Sequence, residues 1–239
     1  MSLAEYRHSP YCSSGPCQLA KVQAQLKAQK QTKTALKQTV ANQYQNAENA
    51  INVSAEHVLL VPANTTALSE LTEERKRSFL AHLASVYQNI ESSSKTDNYL
   101  YAFVTNEVTK QDIDDYQLDK ACATCQGHCC LLGGTHGFQD PLSLKHNLVY
   151  IEKLLEKEVS LTELLSLFSR YFPHSTSKLG CVFQGEMGCT LPTSLRSLTC
   201  NRFFCKEIVE FTRDQQNKTP FSAKVAAIAD NEIIRTQIH

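Results

Sequence analysis

The placement of cysteine constrains this chain more than any other feature. Eight of its ten cysteines fall after residue 120, in two groups. The first is Cys122-Ala-Thr-Cys125-Gln-Gly-His-Cys129-Cys130. The second is Cys181-Val-Phe-Gln-Gly-Glu-Met-Gly-Cys189, followed by Thr-Cys200-Asn-Arg-Phe-Phe-Cys205. A two-residue gap between cysteines lets one tight turn aim two sulfurs at one ion, as in zinc and iron–sulfur sites. Gly127, Gly185 and Gly188 stand where such turns want a residue without Cβ. The Cys181–Cys189 segment is expected to form a hairpin whose two ends each present a thiolate.

Four thiolates hold one tetrahedral zinc or one [4Fe–4S] cluster, so eight suffice for two such centres. Cys129 and Cys130 are adjacent, and their side chains diverge more readily than they chelate one ion. Either two metal sites or one compact polynuclear site is expected. The same cysteines as plain buried hydrophobes would not explain two clusters set in glycine-bearing loops. A disulfide framework would require secretion, and the N-terminal Met-Ser-Leu-Ala-Glu-Tyr-Arg-His lacks the apolar core of a secretory signal. A reducing cytoplasm is the expected location. Cys12 and Cys17, beside Pro10, Gly15 and Pro16, are expected to be free thiols near a frayed terminus. His128 and His136 lie in or near the first group but are not needed as ligands.

A thiolate centre is anionic and needs donors around it. Arg196 and Arg202 flank Cys200 and are candidates to supply them to the bound cofactor.

Glycine also divides the chain: none lies between Gly15 and Gly127, which suits helices upstream. Over residues 18–52, Leu19, Val22, Leu26, Leu36, Val40, Tyr44, Ala47 and Ile51 mark the narrow apolar face of one long helix. Pro62 interrupts. Thr72 then caps a second helix, with Glu73 and Glu74 in its first turn and Phe79, Leu80, Leu83, Val86, Tyr87 and Ile90 as its buried stripe, ending near Ser92–Ser94. Residues 99–104 are apolar and aromatic and too short to assign. Leu144, Leu148, Ile151, Leu154 and Leu155 line a further helix. Ser160 and Glu163 form a capping box for the next, with Val159 stapled against Leu164 and Pro173 as its stop. Thr219-Pro220 opens a last helix with Phe221, Val225, Ile228 and Ile233 facing inward.

The expected fold is mainly α: a helical domain with an irregular cysteine-rich metal-binding core and a short β-hairpin. Residues 1–118 form a helical N-terminal region and 119–239 a cysteine-cluster metal-binding domain. Formal net charge is zero, and few aromatic residues accompany the basic positions, which argues against a nucleic-acid partner. No apolar run approaches a membrane span.

The order Cys-x-x-Cys-x-x-x-Cys-Cys, then Cys-x7-Cys, then Arg-x3-Cys-x-Arg-Phe-x-Cys resembles a bacterial cysteine-cluster family, a zinc- or iron-chelating domain shared with flagellin lysine N-methylases. The resemblance covers about residues 119–206. It implies metal ligation by Cys122, Cys125, Cys129, Cys130, Cys181, Cys189, Cys200 and Cys205. The function expected first is a metal-binding protein that holds an iron–sulfur centre, or alternatively zinc, for redox or metal-handling work. A second expectation is an S-adenosylmethionine-dependent protein lysine N-methyltransferase similar to the flagellin methylases, although no donor-binding motif is found. A third is a structural zinc module that docks a protein partner. Whether the chain is an enzyme is left open by its residues.

Overall fold

The computed structural model describes residues 15–48, 53–90 and 108–237. It is mainly helical, as the glycine distribution suggested. The first helix, α1 (Gly15–Glu48), matches the long apolar repeat only in its second half. Val40, Ala41 and Tyr44 are buried, whereas Leu19, Val22 and Leu26 are 58, 50 and 59 % exposed. Cys12, Ile51, Ser92–Ser94 and the 99–104 stretch lie outside the described residues.

Strand β1 (Val58–Pro62) and strands β6 (Lys224–Ala229) and β7 (Glu232–Thr236) form a three-stranded sheet in the order β1-β6-β7. β6 runs parallel to β1 and antiparallel to β7. The last helix expected after Thr219-Pro220 is therefore absent, and Val225, Ile228 and Ile233 belong to a hairpin. Lys-Val-Ala-Ala-Ile-Ala is helix-prone in isolation, but Val225, Ala226 and Ala227 are all buried, so the segment has two covered faces rather than one stripe. Asp230 and Asn231 turn the chain with φ of 50° and 63°, the left-handed pair that a two-residue hairpin requires.

Alternation along the sheet sorts its side chains into two cores. Val58 and Leu60 face α1 with Val40, Ala41, Tyr44 and Ala226. Leu59, Val61, Val225 and Ala227 face the opposite way, onto Ile208 and Phe211 of helix α8 (Lys206–Gln215) and onto Tyr116, Leu118, Ala121 and Cys125. Tyr116 ends helix α3 (Lys110–Tyr116), and Ala121 opens the short helix α4 (Ala121–Cys125).

A third core gathers the remaining helices. Helix α2 (Glu73–Gln88) contributes Phe79, Leu83 and Val86; helices α5 (Pro141–Leu155) and α6 (Leu161–Ser169) contribute Leu144, Ile151, Leu164 and Phe168. Thr72 caps α2 as expected, accepting from the Arg75 N–H. The Val159 staple and Leu164 are both buried in this core. All three cores draw residues from both sides of residue 118. Strand β2 (Leu68–Glu70) pairs with β3 (Ser175–Ser177), and β4 (Gln184–Gly185) with β5 (Gly188–Cys189) in a hairpin shorter than expected, where Gln184 rather than Cys181 stands opposite Cys189. Helix α7 (Leu198–Arg202) leads into α8. Among the described residues no helix is long and apolar enough to cross a membrane.

The capping box of α6 is complete: the Ser160 hydroxyl accepts from the Glu163 N–H, and the Glu163 carboxylate accepts from the Ser160 N–H. Hydrogen bonds from Lys157, then Ser160, hold the Glu163 carboxyl down at about 2. A depressed carboxyl stabilises the fold above its unfolded value near 4.5 and ceases to do so as pH falls through about 2. Glu163→Gln should therefore flatten the acid limb of the stability curve over that window, read as urea midpoints against pH. Ser160→Ala should lower stability by about 1 kcal/mol at neutral pH.

Candidate functional site: a convergence of eight thiols

The first cysteine group is built by three short pieces of backbone. Helix α4 places Cys122 and Cys125 three residues apart, on one face. Gln126 and Gly127 then take left-handed conformations, with φ of 53° and 72°, and end the helix. A 3₁₀ turn over Cys129–Gly133 carries Cys129 and Cys130. The turn aims the His128 N–H at the Cys125 sulfur, 3.1 Å away.

The second group lies against the first. The Cys181 N–H donates to the Cys130 carbonyl at 2.9 Å, and the Val182 N–H to Gly134 O at 3.0 Å. Gln184 is 1 % exposed, and its amide donates to the Gln126 carbonyl. The Gln126 side chain in turn donates to Glu186 O at 3.2 Å. A Cβ on Gly133 would lie 2.9 Å from the Cys181 Cβ, and one on Gly188 would lie 3.2 Å from the Ala123 Cα, so the loops touch through their glycines. Cys200 follows the N-cap Ser197 of α7, whose hydroxyl accepts from the Cys200 N–H at 3.0 Å. Cys205 is the N-cap of α8.

All eight of these cysteines are free thiols. Burial is the first cause that raises Cys122, Cys125, Cys181, Cys200 and Cys205. Cys122 reaches about 11 although the residue is exposed, with the charges of Cys129, Cys125 and Cys189 adding to burial. Cys181 and Cys205 reach about 12. The adjacent pair behaves differently. A hydrogen bond from Cys130 lowers Cys129 to about 7, and the same bond, followed by burial, raises Cys130. Every one of the eight sulfurs enters this electrostatic network.

Two arginines distant in sequence from every cysteine group are fastened to the cysteine loops. Arg235 of β7 donates to Thr124 O at 3.0 Å, Cys125 O at 3.2 Å and Asn64 O at 2.8 Å. Arg75 of α2 donates to Ser177 O at 3.1 Å and to Gly180 O. Burial lowers both guanidiniums, and the sulfurs of Cys125 and Cys181 act in the opposite sense on Arg235 and Arg75 respectively. Of the two arginines flagged in sequence, Arg196 lies near Cys122 and Cys200, lowering both thiols against burial, and its Nε donates to Leu191 O at 2.9 Å. Arg202 is an exposed residue at the end of α7. His136 accepts from the Phe138 N–H at 2.9 Å and stacks edge-on with Phe138, and His128 is exposed.

Among the described residues, no three His, Cys, Asp or Glu side chains are grouped so as to hold one ion. A cavity of about 260 Å³ lies elsewhere, at the ends of β1 and β6 between Lys33, Pro62, Glu207 and Asp230, and none of the cysteines lines it.

Gly127 tests how tightly the seam is closed. A Cβ there would sit 2.5 Å from the buried Gln184 amide carbon. Gly127→Ala should cost about 1–2 kcal/mol from the left-handed backbone alone. Displacing Gln184 adds to this, because its amide bridges the two cysteine loops. The expected result is a lower urea midpoint together with faster alkylation of Cys125 and Cys181 in the native protein. Comparison of the chain with protein-family models, with curated proteins and with solved structures finds no match.

Proposed function

We propose that this protein binds metal through a cysteine-thiolate centre at the seam of its two cysteine loops, with Cys122, Cys125, Cys129, Cys130, Cys181, Cys189, Cys200 and Cys205 as the ligands. The observation that carries this reading is the direct joining of the two groups through the Cys181 N–H to Cys130 carbonyl bond, across a separation of fifty residues in sequence, with all eight sulfurs within electrostatic reach of a neighbour.

The donor set fits a soft cation. Burial keeps most of these sulfurs protonated, because ionising several together without a counter-charge is unfavourable. A thiophilic cation that replaces the protons removes that penalty, and binding then depends on pH because each ligand must lose its proton. Donors that thiolate centres need are in place: the His128 N–H toward Cys125, Ser197 beside Cys200, and the guanidiniums of Arg75, Arg196 and Arg235 around the group.

The ion is an iron–sulfur cluster in the first reading and zinc in the second, and the role is redox or metal handling. The chain's own contribution is to gather the sulfurs, neutralise part of their charge and exclude water from Cys125 and Cys181, which are both buried. Anaerobic purification followed by metal analysis and a visible spectrum tests the proposal. A brown protein with stoichiometric iron and acid-labile sulfide identifies the cluster; a colourless one with stoichiometric zinc identifies the alternative. Protein that retains neither metal, and whose eight thiols all alkylate freely after incubation with either, would sink it.

A further inference from the structure

We infer that the eight thiols divide into two four-sulfur centres, Cys122, Cys125, Cys129 and Cys205 in one and Cys130, Cys181, Cys189 and Cys200 in the other. This rests on the metal-binding reading above and specifies it: each centre takes its own soft cation, and the boundary between them is the peptide bond joining Cys129 to Cys130.

The packing carries the division. Cys125 and Cys205 both pack into the core formed by the sheet face and α8. Cys130, Cys181 and Cys189 pack into the other, aromatic core of α2, α5 and α6. The sulfurs that the cores claim are thus sorted before any ion is considered. Local geometry assigns most of the rest. Cys122 and Cys125 share a face of α4 by their three-residue spacing, so they point at the same ion. Cys129 and Cys130 are consecutive residues of a 3₁₀ turn, and of the two only Cys130 packs against the aromatic core, which leaves Cys129 to the set of Cys122 and Cys125. Cys130 is bonded to the second loop through its carbonyl, with the Cys181 N–H at 2.9 Å.

Cys200 is placed by its helix: the Leu198 N–H of α7 donates to Ser143 Oγ of α5 at 3.0 Å, which docks α7 on the side of the second core. Counter-charge is shared out in the same way. Arg235 lies beside Cys125 and Arg75 beside Cys181, one guanidinium for each set, and Arg196 stands between Cys122 of the first and Cys200 of the second.

Each tetrathiolate zinc would release four protons on binding and carry two negative charges. Zinc is therefore a suitable probe, whatever the resident metal. The full chain, stripped and reloaded with Zn²⁺, is expected to hold two ions. Partial removal with a chelator, followed by alkylation and peptide mass analysis, should give chains labelled in fours: Cys122, Cys125, Cys129 and Cys205 together, or Cys130, Cys181, Cys189 and Cys200 together. Cys205→Ser should drop the content from two ions to one and expose only its own set, and Cys200→Ser should do the reverse. The partial-removal measurement on the unaltered chain does not depend on either variant folding. Labels that mix the sets, labelling of all eight sulfurs in one step, or a single ion at saturation would overturn the division while leaving the metal-binding reading intact. No bound zinc and no protected thiol would overturn both.

Discussion

If the proposed thiolate centre holds a metal, removing it with a strong chelator is expected to unravel the region 118–137 and 180–205 while leaving most of the helical signal in place. The elements that carry the cysteines are too short to stand alone. Helices α4 and α7 have five residues each, and β4 and β5 two each. Isolated helices shorter than about 12–15 residues are marginal in water. What ties these pieces to the rest is a handful of main-chain bonds, the Gln184 bridge and the arginine clamps. In small structural zinc sites, binding supplies about 10–16 kcal/mol of apparent free energy, as much as the whole stability of a typical domain. Hydrogen exchange should therefore accelerate by orders of magnitude across the two loops, and by less in α2, α5 and α6, which also pack on one another through Phe79, Leu83, Leu144, Leu164 and Phe168. Restoring the metal should restore protection. Unchanged exchange across both loops would show that the thiols are structural hydrophobes.

The metal-free chain should also respond to alkali in a defined direction. Cys122, Cys181 and Cys205 lie at about 11, 12 and 12 when folded, against an ordinary value of 9.0. An acid whose folded value is raised remains protonated in the native state while the unfolded chain ionises. The unfolded state is thus favoured progressively as pH rises from about 9 to about 12. The urea midpoint of the stripped protein should fall across that interval, and the metal-loaded protein should hold level, because its sulfurs are already thiolates in the native state.

How much of this was legible in sequence follows from which signals are local. The capping box at Ser160, the cap at Thr72 and the hairpin between Cys181 and Cys189 are decided by residues a few positions apart, and each appears where its motif stands. The sheet was not legible for the opposite reason. β1 is a run of only five residues, Val-Leu-Leu-Val-Pro, whose partner β6 lies more than a hundred and fifty residues away, and β6 itself is written in alanines that favour a helix. Helix α1 shows a related failure: a period of three and four residues marks an amphipathic face, but whether anything covers it depends on the tertiary partner, and Leu19, Val22 and Leu26 have little. The cysteine spacing marked the thiols individually. It gave no means of finding Arg75 and Arg235, because their partners are backbone carbonyls, which any residue can offer.

Phe183→Ala is expected to be the most damaging single substitution among the aromatic residues, and to act on both the fold and the thiols. Phe183 is fully buried and stands two residues from Cys181. Its ring meets Phe79 edge-on at 4.7 Å, stacks on Phe172 at 5.2 Å and lies 6.1 Å from Phe168. Those partners come from α2, α6 and the turn after α6, so one side chain anchors the second cysteine loop to two helices. Truncating a buried phenylalanine costs about 3–5 kcal/mol, part of it from the lost ring contacts. Phe183 O accepts from the Thr190 N–H at 2.8 Å, and this bond closes the hairpin that carries Cys189. A Phe183→Leu variant retains volume and should recover much of the stability. The two consequences separate in measurement: the urea midpoint reports the core, and the rate at which Cys181 and Cys189 alkylate in native protein reports the loop. If the loop is held by Phe183, alkylation of these two should rise in Phe183→Ala well before global unfolding, while Cys122 and Cys205, which belong to the other face of the seam, keep their native rates. Equal acceleration at all four sulfurs would mean that the whole site opens only when the protein unfolds, and that the aromatic cluster has no separate hold on the second loop.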